Sequence, residues 1–179
     1  MTDAFARPEA GEFDEFYRSY VDLAPTGVDP RDILRQQLIL FPGLMITVSE
    51  ADAQHRYAEG KWSIKEVVGH LCDTERIFSY RLLRVVRGDR TPLSGFNENE
   101  YVPAGRFDSR RLGDLVSEWE AARQSTLALV ESLDPDVLSN STVANDVAVS
   151  ARAIVFIVAG HTQHHVEILR MRYGVGGGS

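Results

Sequence analysis

Four stretches of this chain repeat apolar residues every three or four positions, and two of those stripes carry histidines. Val67, His70, Leu71, Thr74, Ile77, Phe78, Leu82 and Val85 form one stripe; Ile154, Ile157, Val158, His161, His165, Ile168 and Leu169 form another. A period near 3.6 predicts helices that each bury one face. With little strand signal between them, the four stripes predict an all-α fold, an antiparallel four-helix bundle. A histidine on a core-facing stripe must find a partner, because burying an unpaired polar group costs about 1–3 kcal/mol. Several imidazoles converging from two helices have one economical common partner, a transition metal.

Local signals place the helices. Pro30 behind Asp29 opens the first, with Ile33, Leu34, Leu38 and Phe41 on one face. Pro42-Gly43 kinks or ends it. Ser63-Ile64-Lys65-Glu66 is a capping box for the second, which Gly88 stops. Asp108 or Ser109 caps the third, which turns Leu112, Leu115, Val116, Trp119, Ala122, Thr126, Leu127 and Val130 inward and closes at Asp134-Pro135. The fourth runs from about Ser150 to Tyr173, ahead of Gly174. Phe13–Leu23 predicts a short N-terminal helical extension, and residues 1–12 a loose segment. Ser49–Lys61 is a polar connector, Asp89–Arg106 a long irregular, lid-like connection, and Leu138–Val149 favours no class. These boundaries give one helical domain over residues 1–175 and a flexible Gly/Ser tail over 176–179.

Composition narrows the partners. The 179 residues suit one domain, and a net charge of −7 with no basic recognition helix argues against nucleic acid. Cys72 is the only cysteine, so no intramolecular disulfide forms, and a reducing compartment fits. No signal-like N-terminus and no apolar run of about 20 residues is present, so the chain is expected to be cytoplasmic, with no membrane partner. Cys72 is expected to be an inert core residue, and Trp62 and Trp119 core anchors.

Helix positions i and i+4 share a face, so His161 and His165 point together, and His70 faces inward from the second helix. Three imidazoles with an open fourth position match a catalytic zinc site more than a closed structural one. His164, three residues after His161, also shares a face with it. His165 is preferred because Ile157, Val158, Ile168 and Leu169 centre on the 161/165 stripe, which leaves His164 as a donor or substrate contact at its edge. Asp73, three residues after His70, is a candidate to orient an imidazole or a water, or else an exposed helix charge. Glu75 is read as a surface or interhelix pair with Arg76 or its neighbours; Arg152, Glu167, Arg170 and His55 are read as solvated. No HExxH protease motif occurs.

Lys61-Trp62-Ser63-Ile64 through Gly69-His70-Leu71-Cys72-Asp73, Ala159-Gly160-His161-Thr162-Gln163-His164-His165, and Phe16-Tyr17-Arg18-Ser19-Tyr20 resemble signatures of the DinB/YfiT-like superfamily. The resemblance implies a four-helix bundle of up-down-down-up connectivity, often a homodimer. It also implies one divalent transition metal, zinc or nickel, held by His70, His161 and His165. Characterised relatives include S-transferases that use low-molecular-weight thiols such as bacillithiol or mycothiol, and a maleylpyruvate isomerase. The implied function is a divalent-metal-dependent enzyme, a thiol-dependent S-transferase or a hydrolase-like relative acting on a small-molecule electrophile. Asp73 and His164 are its catalytic candidates. The arginines of the second helix with Phe96, Asn97, Glu98 and Tyr101 are candidates for the substrate mouth. Two rival readings stand beside it: a non-catalytic metal-binding module for stress response or interaction, and a metal-free bundle with a histidine hydrogen-bond network.

Overall fold

The computed structural model describes residues 5–177. Helix α1 spans Arg18–Leu23, α2 Pro30–Met45, α3 Ile64–Val86, α4 Glu98–Gly105, α5 Leu112–Glu131 and α6 Ala151–Tyr173. Strands β1, Ser141–Ala144, and β2, Val147–Ser150, form an antiparallel hairpin ahead of α6. None of these helices is long and apolar enough to cross a membrane.

Cross-helix contacts fix the directions of the four long helices. Cys72 meets Leu115, Glu75 meets Arg123 and Arg76 meets Glu118, so α3 and α5 run parallel. Arg35 meets Glu131 and Phe41 meets Trp119, so α2 opposes α5. His70 meets His165 and Phe78 meets His161, so α6 opposes α3. The expected up-down-down-up order follows, and the parallel pair α3/α5 requires the long connection between them.

The core is layered. One apolar cluster includes Val21, Leu34, Phe78, Leu82, Val130, Ile154 and Ile157. The other includes Phe41, Met45, Leu71, Leu115, Trp119, Val166 and Leu169. Between them lies a buried polar stratum with one residue from each long helix: Gln37, Glu75, Arg123 and Thr162. Arg123 donates to both carboxylate oxygens of Glu75, at 2.9 and 2.8 Å, to Gln37 Oε1, and to Thr162 Oγ1 at 2.7 Å. Gln37 Nε2 donates to the carbonyl of Ala159 at 2.8 Å. Each helix is thereby locked at one height along its neighbours.

Several local expectations are corrected. Residues 5–12 are not loose: Phe5 is buried, Arg7 donates to the carbonyls of Val21 and Ala24, and Glu12 accepts from Ser150. Helix α2 continues through Pro42 to Met45. The connection 89–106 contains α4, started by Asn97 Oδ1 accepting from the Asn99 amide and ended by Arg106 in the left-handed conformation. Leu93 in the same connection pairs with β1 through Val143 O and Asn145 N. Leu138–Val149 forms most of the hairpin, whose turn residues Asn145 and Asp146 both have positive φ (54° and 64°), the pattern of a tight two-residue turn. Neither Asp108 nor Ser109 caps α5. The Leu112 amide donates to Glu50 instead, while Asp108 accepts from the Ser63 hydroxyl and Arg56, tying the start of α3 to the approach of α5. The capping box is present: Glu66 N donates to Ser63 Oγ at 3.0 Å and Ser63 N to Glu66 Oε2 at 2.8 Å. Of the expected Gly/Ser tail over 176–179, residues 178–179 lie outside the described residues, and Gly176 and Gly177 are exposed.

Gly160 decides how closely α1 approaches α6. A Cβ there would lie 1.8 Å from the backbone oxygen of Tyr20, a contact that no side-chain rotation relieves. Gly160→Ala must therefore push α1 outward, at a cost of about 3 kcal/mol. A urea titration is expected to show a lower midpoint with an unchanged slope; an unmoved midpoint would refute the tight α1/α6 contact.

Candidate metal centre

Two helices deliver the histidines. The capped start of α3 sets its phase, so that His70, about two turns in, faces α6. On α6, His161 and His165 lie one turn apart on the face toward α3. All three are buried, and one ligand nitrogen from each lies within 4.8 Å of the others. His70 Nε2 and His161 Nε2 are 3.1 Å apart, so in the neutral rings one must donate and the other accept. His165 Nδ1 is buried with no hydrogen-bond partner among the described residues.

Burial governs their protonation. Desolvation holds His70 down to about 4 and pushes His161 and His165 well below the usual imidazole value, with mutual repulsion adding to it. All three rings are thereby held neutral at pH 7, the protonation state in which an imidazole can ligate. Zn–N bonds of about 2.0–2.1 Å place neighbouring nitrogens roughly 3–3.5 Å apart, so the cluster needs only small movements to close around an ion. The orphaned nitrogen and the all-imidazole donor set both fit a divalent transition metal.

The histidines form the floor of a cavity of about 190 Å³. Phe16, Tyr20, Trp62, Phe78 and Phe96 supply its aromatic walls; Arg81, Glu98, Asn145 and His164 add polar groups. The Trp62 ring lies 4.8 Å from that of His70, and Tyr20 stands edge-on to His161 and His164 at 5.3 and 5.4 Å. The close α1 approach permitted by Gly160 is what puts Tyr20 there. Thr74 also lines the cavity but donates its hydroxyl back to the His70 carbonyl at 2.8 Å.

The candidate residues separate clearly. His70, His161 and His165 come together, and His164 lies beside them on the wall, half-buried and lowered by desolvation. Asp73 does not reach the cavity. It falls on the flank of α3 toward α5, where Arg76, Glu118 and Arg110 are its charged neighbours and burial raises its carboxyl. Thr74, at i+4, occupies the inward position instead. Phe96 and Glu98 line the cavity; Asn97 caps α4, and Tyr101 packs on Phe96 at 5.3 Å. Of the arginines on α3, Arg81 lines the cavity, Arg84 pairs with Asp89, and Arg87, just past the helix end, is exposed. Trp62 is cavity wall more than core anchor, whereas Trp119 is fully buried under Arg123, 4.9 Å from its guanidinium carbon. Cys72 is inert, donating to the Leu115 carbonyl, with burial pushing its thiol up to about 12.

Of the two readings of Glu75, the interhelix pair holds and the surface one does not; its partner is Arg123 of α5 rather than Arg76, and both are buried. The polar stratum escaped the sequence reading, although a signal was present. Gln37 stands between Leu34 and Phe41, Glu75 between Leu71 and Phe78, and Arg123 one turn after Trp119, all on apolar stripes. Three polar residues at core phase on three helices mark a buried network.

Four helices in up-down-down-up order around three converging histidines define a class: helical bundles with an internal metal-binding constellation. The family model of the DinB superfamily matches residues 34–169, and the chain belongs to that family. Among solved structures, YfiT from Bacillus subtilis, described as a probable metal-dependent hydrolase with an unusual four-helix bundle topology, is similar at TM-score 0.73, with 14% identity over 94% of each chain. A mycothiol-dependent maleylpyruvate isomerase is similar at TM-score 0.66 and 14% identity, over 82% of this chain and 60% of that one. At such identities the likeness establishes the fold. No curated protein sequence matches the chain.

Two predictions follow from this geometry. Because folding lowers His70 from 6.5 to about 4, the unfolded chain takes up protons that the folded one refuses. Stability of metal-free protein is therefore flat above about pH 6.5 and falls toward pH 4, by up to about 1.4 kcal/mol per pH unit for each such histidine. Thermal melts of chelator-treated protein should show that decline, and His70→Asn should make it shallower by that one histidine's share, leaving the part due to His161 and His165; equal pH slopes would mean that His70 is not held neutral. Separately, Glu75→Gln strands the Arg123 charge and should cost about 3–5 kcal/mol in denaturant unfolding, whereas Glu75→Leu with Arg123→Met should recover most of that loss. A double variant no better than the sum of its single changes would count against the pair.

Proposed function

We propose that this chain is a divalent-metal-dependent enzyme, with zinc or nickel held by His70, His161 and His165, that transfers a low-molecular-weight thiol to a small electrophile. One observation carries the reading: three neutral, buried imidazoles, without a carboxylate among them, converge on the floor of an aromatic-walled cavity. A divalent ion held by neutral ligands keeps its full charge and would supply acidification of a nucleophile beside it. A thiol starts near pKa 8.5, far below water at about 15.7, and so needs little further help. That suits a wall on which the groups able to take up a proton are one imidazole, His164, and one partly exposed glutamate, Glu98. The likeness to a mycothiol-dependent isomerase supports a thiol reactant, and the likeness to YfiT supports the metal.

The chain's own residues do the rest. Neutral His164, beside the trio, accepts the proton as the S–H bond breaks. An S–C bond then forms while the leaving group departs with its electron pair, and the same proton passes to it. Trp62, Tyr20 and Phe78 exclude water and hold the apolar body of the electrophile. Elemental analysis of untagged protein is expected to give about one equivalent of transition metal in the wild type and little in His161→Ala. Wild type should also consume a small thiol with a chlorinated aromatic electrophile, and a chelator should abolish turnover. Metal without turnover would leave a binding module; no metal after reconstitution would overturn the proposal.

A further inference from the structure

Arg81 is a buried charged group in the cavity that the chemistry above leaves without a role. It is 3% exposed, yet no carboxylate among the described residues pairs with it. One N–H donates to the Ser94 carbonyl at 3.0 Å, and the guanidinium carbon lies 5.6 Å from the Phe78 ring centroid. Its other donors have no acceptor among the described residues. A buried arginine normally has a carboxylate or a comparable anion beside it, as Arg123 has Glu75. The remaining cavity groups show what is missing. Glu98 stands on the same wall without bridging to Arg81, and Asn145 contributes a neutral amide.

We propose that Arg81 is a specificity residue that binds a carboxylate on one of the two reactants; this rests on the thiol-transfer reading of the same cavity. A carboxylate matches the planar fork of a guanidinium in two parallel hydrogen bonds. A single cation in a cavity that also holds Glu98 favours a monoanion over a doubly charged phosphate. Position fixes the orientation. Arg81 lies eleven residues after His70, about three turns and roughly 16 Å along α3, on the same face. Long side chains on a helix lean toward its N-terminus, which turns the guanidinium back toward the histidines and shortens that span. The reactant therefore lies along α3, its acid at the Arg81 end, its reacting atom over the histidines and its apolar body against Phe78.

The test uses two acid/amide pairs and calorimetric titration of full-length protein, both metal-loaded and chelator-treated. The pair 4-phenylbutyrate and 4-phenylbutyramide stands for an acidic electrophile; 6-mercaptohexanoate and 6-mercaptohexanamide stand for an acidic thiol. In at least one pair the acid is expected to bind tenfold or more tightly than its amide, and that pair identifies the reactant bearing the carboxylate. Arg81→Gln, and Arg81→Met if the first fails to fold, should remove the preference without lowering metal content. Equal affinity of acid and amide in both wild-type pairs, or a preference that survives in the variant, overturns the assignment. The two readings fail separately. Full metal occupancy without an acid preference sinks the subsite alone; an acid preference in protein that never takes up metal sinks the metal centre alone.

Discussion

The buried Arg123–Glu75 pair is the constraint around which the bundle is organised. Apolar stripes specify only that helices meet face to face; two greasy surfaces can slide by a turn with little loss. Placing Arg123 where Glu75, Gln37 and Thr162 all reach it removes that freedom, because any slip strands a charge in a low-dielectric interior. The pair is no great source of net stability, since well-packed apolar residues could stabilise as much. Its contribution is register. Thr162 directly follows His161, and Ala159, whose carbonyl binds Gln37, precedes it by two residues. The stratum that locks the four helices therefore also sets the height of the α6 histidines against His70.

Backbone approach sets the second coordinate. Gly160 lets α1 lie on α6 at contact distance, and Gly69 makes room for the Phe107 ring on the neighbouring side of α3. One glycine precedes His161 and the other precedes His70. A side chain at either position would push a flanking element away from a helix just where that helix presents a ligand. In the case of Gly160 it would also withdraw Tyr20 from the rings of His161 and His164. The short N-terminal helix is thus part of the cavity, although its sequence reads only as an amphipathic extension.

What was legible in the sequence were features with local causes. The box at Ser63–Glu66, the Asp29-Pro30 start and the Gly174 stop each depend on neighbours within four residues, and each helix end falls close to where they indicate. The histidine trio was legible because i, i+4 spacing on a core stripe is itself geometry. What stayed hidden depends on contacts distant in sequence. Asp108 resembles a cap for α5 but serves Ser63, 45 residues away. Asp73 stands one turn from His70 but on the flank of the stripe that meets Glu118 and Arg110, and only the packing of α5 shows which flank faces the cavity. The hairpin at 141–150 is short, and its pairing partner Leu93 comes from a distant connection, so no periodicity could announce it.

The histidine cluster is incompletely satisfied by the protein alone. Two rings answer each other across 3.1 Å, while the third keeps a buried nitrogen without a partner among the described residues, and desolvation holds that ring neutral. An apolar residue at position 165 would pack at lower cost, so the chain carries a penalty that hydrogen bonding within the bundle does not repay. A cation would relieve it for all three rings at once, and because the unfolded chain holds no such preformed trio, that affinity would appear directly as folding stability. At a hundredfold excess of ion over its dissociation constant the gain is about 2.7 kcal/mol. That is comparable to the cost of one stranded buried polar group. The same logic extends along α3: an orphaned nitrogen at the floor and a guanidinium at the wall with no carboxylate partner among the described residues are two unmet demands of opposite chemistry, one for a cation and one for an anion, lining the same cavity.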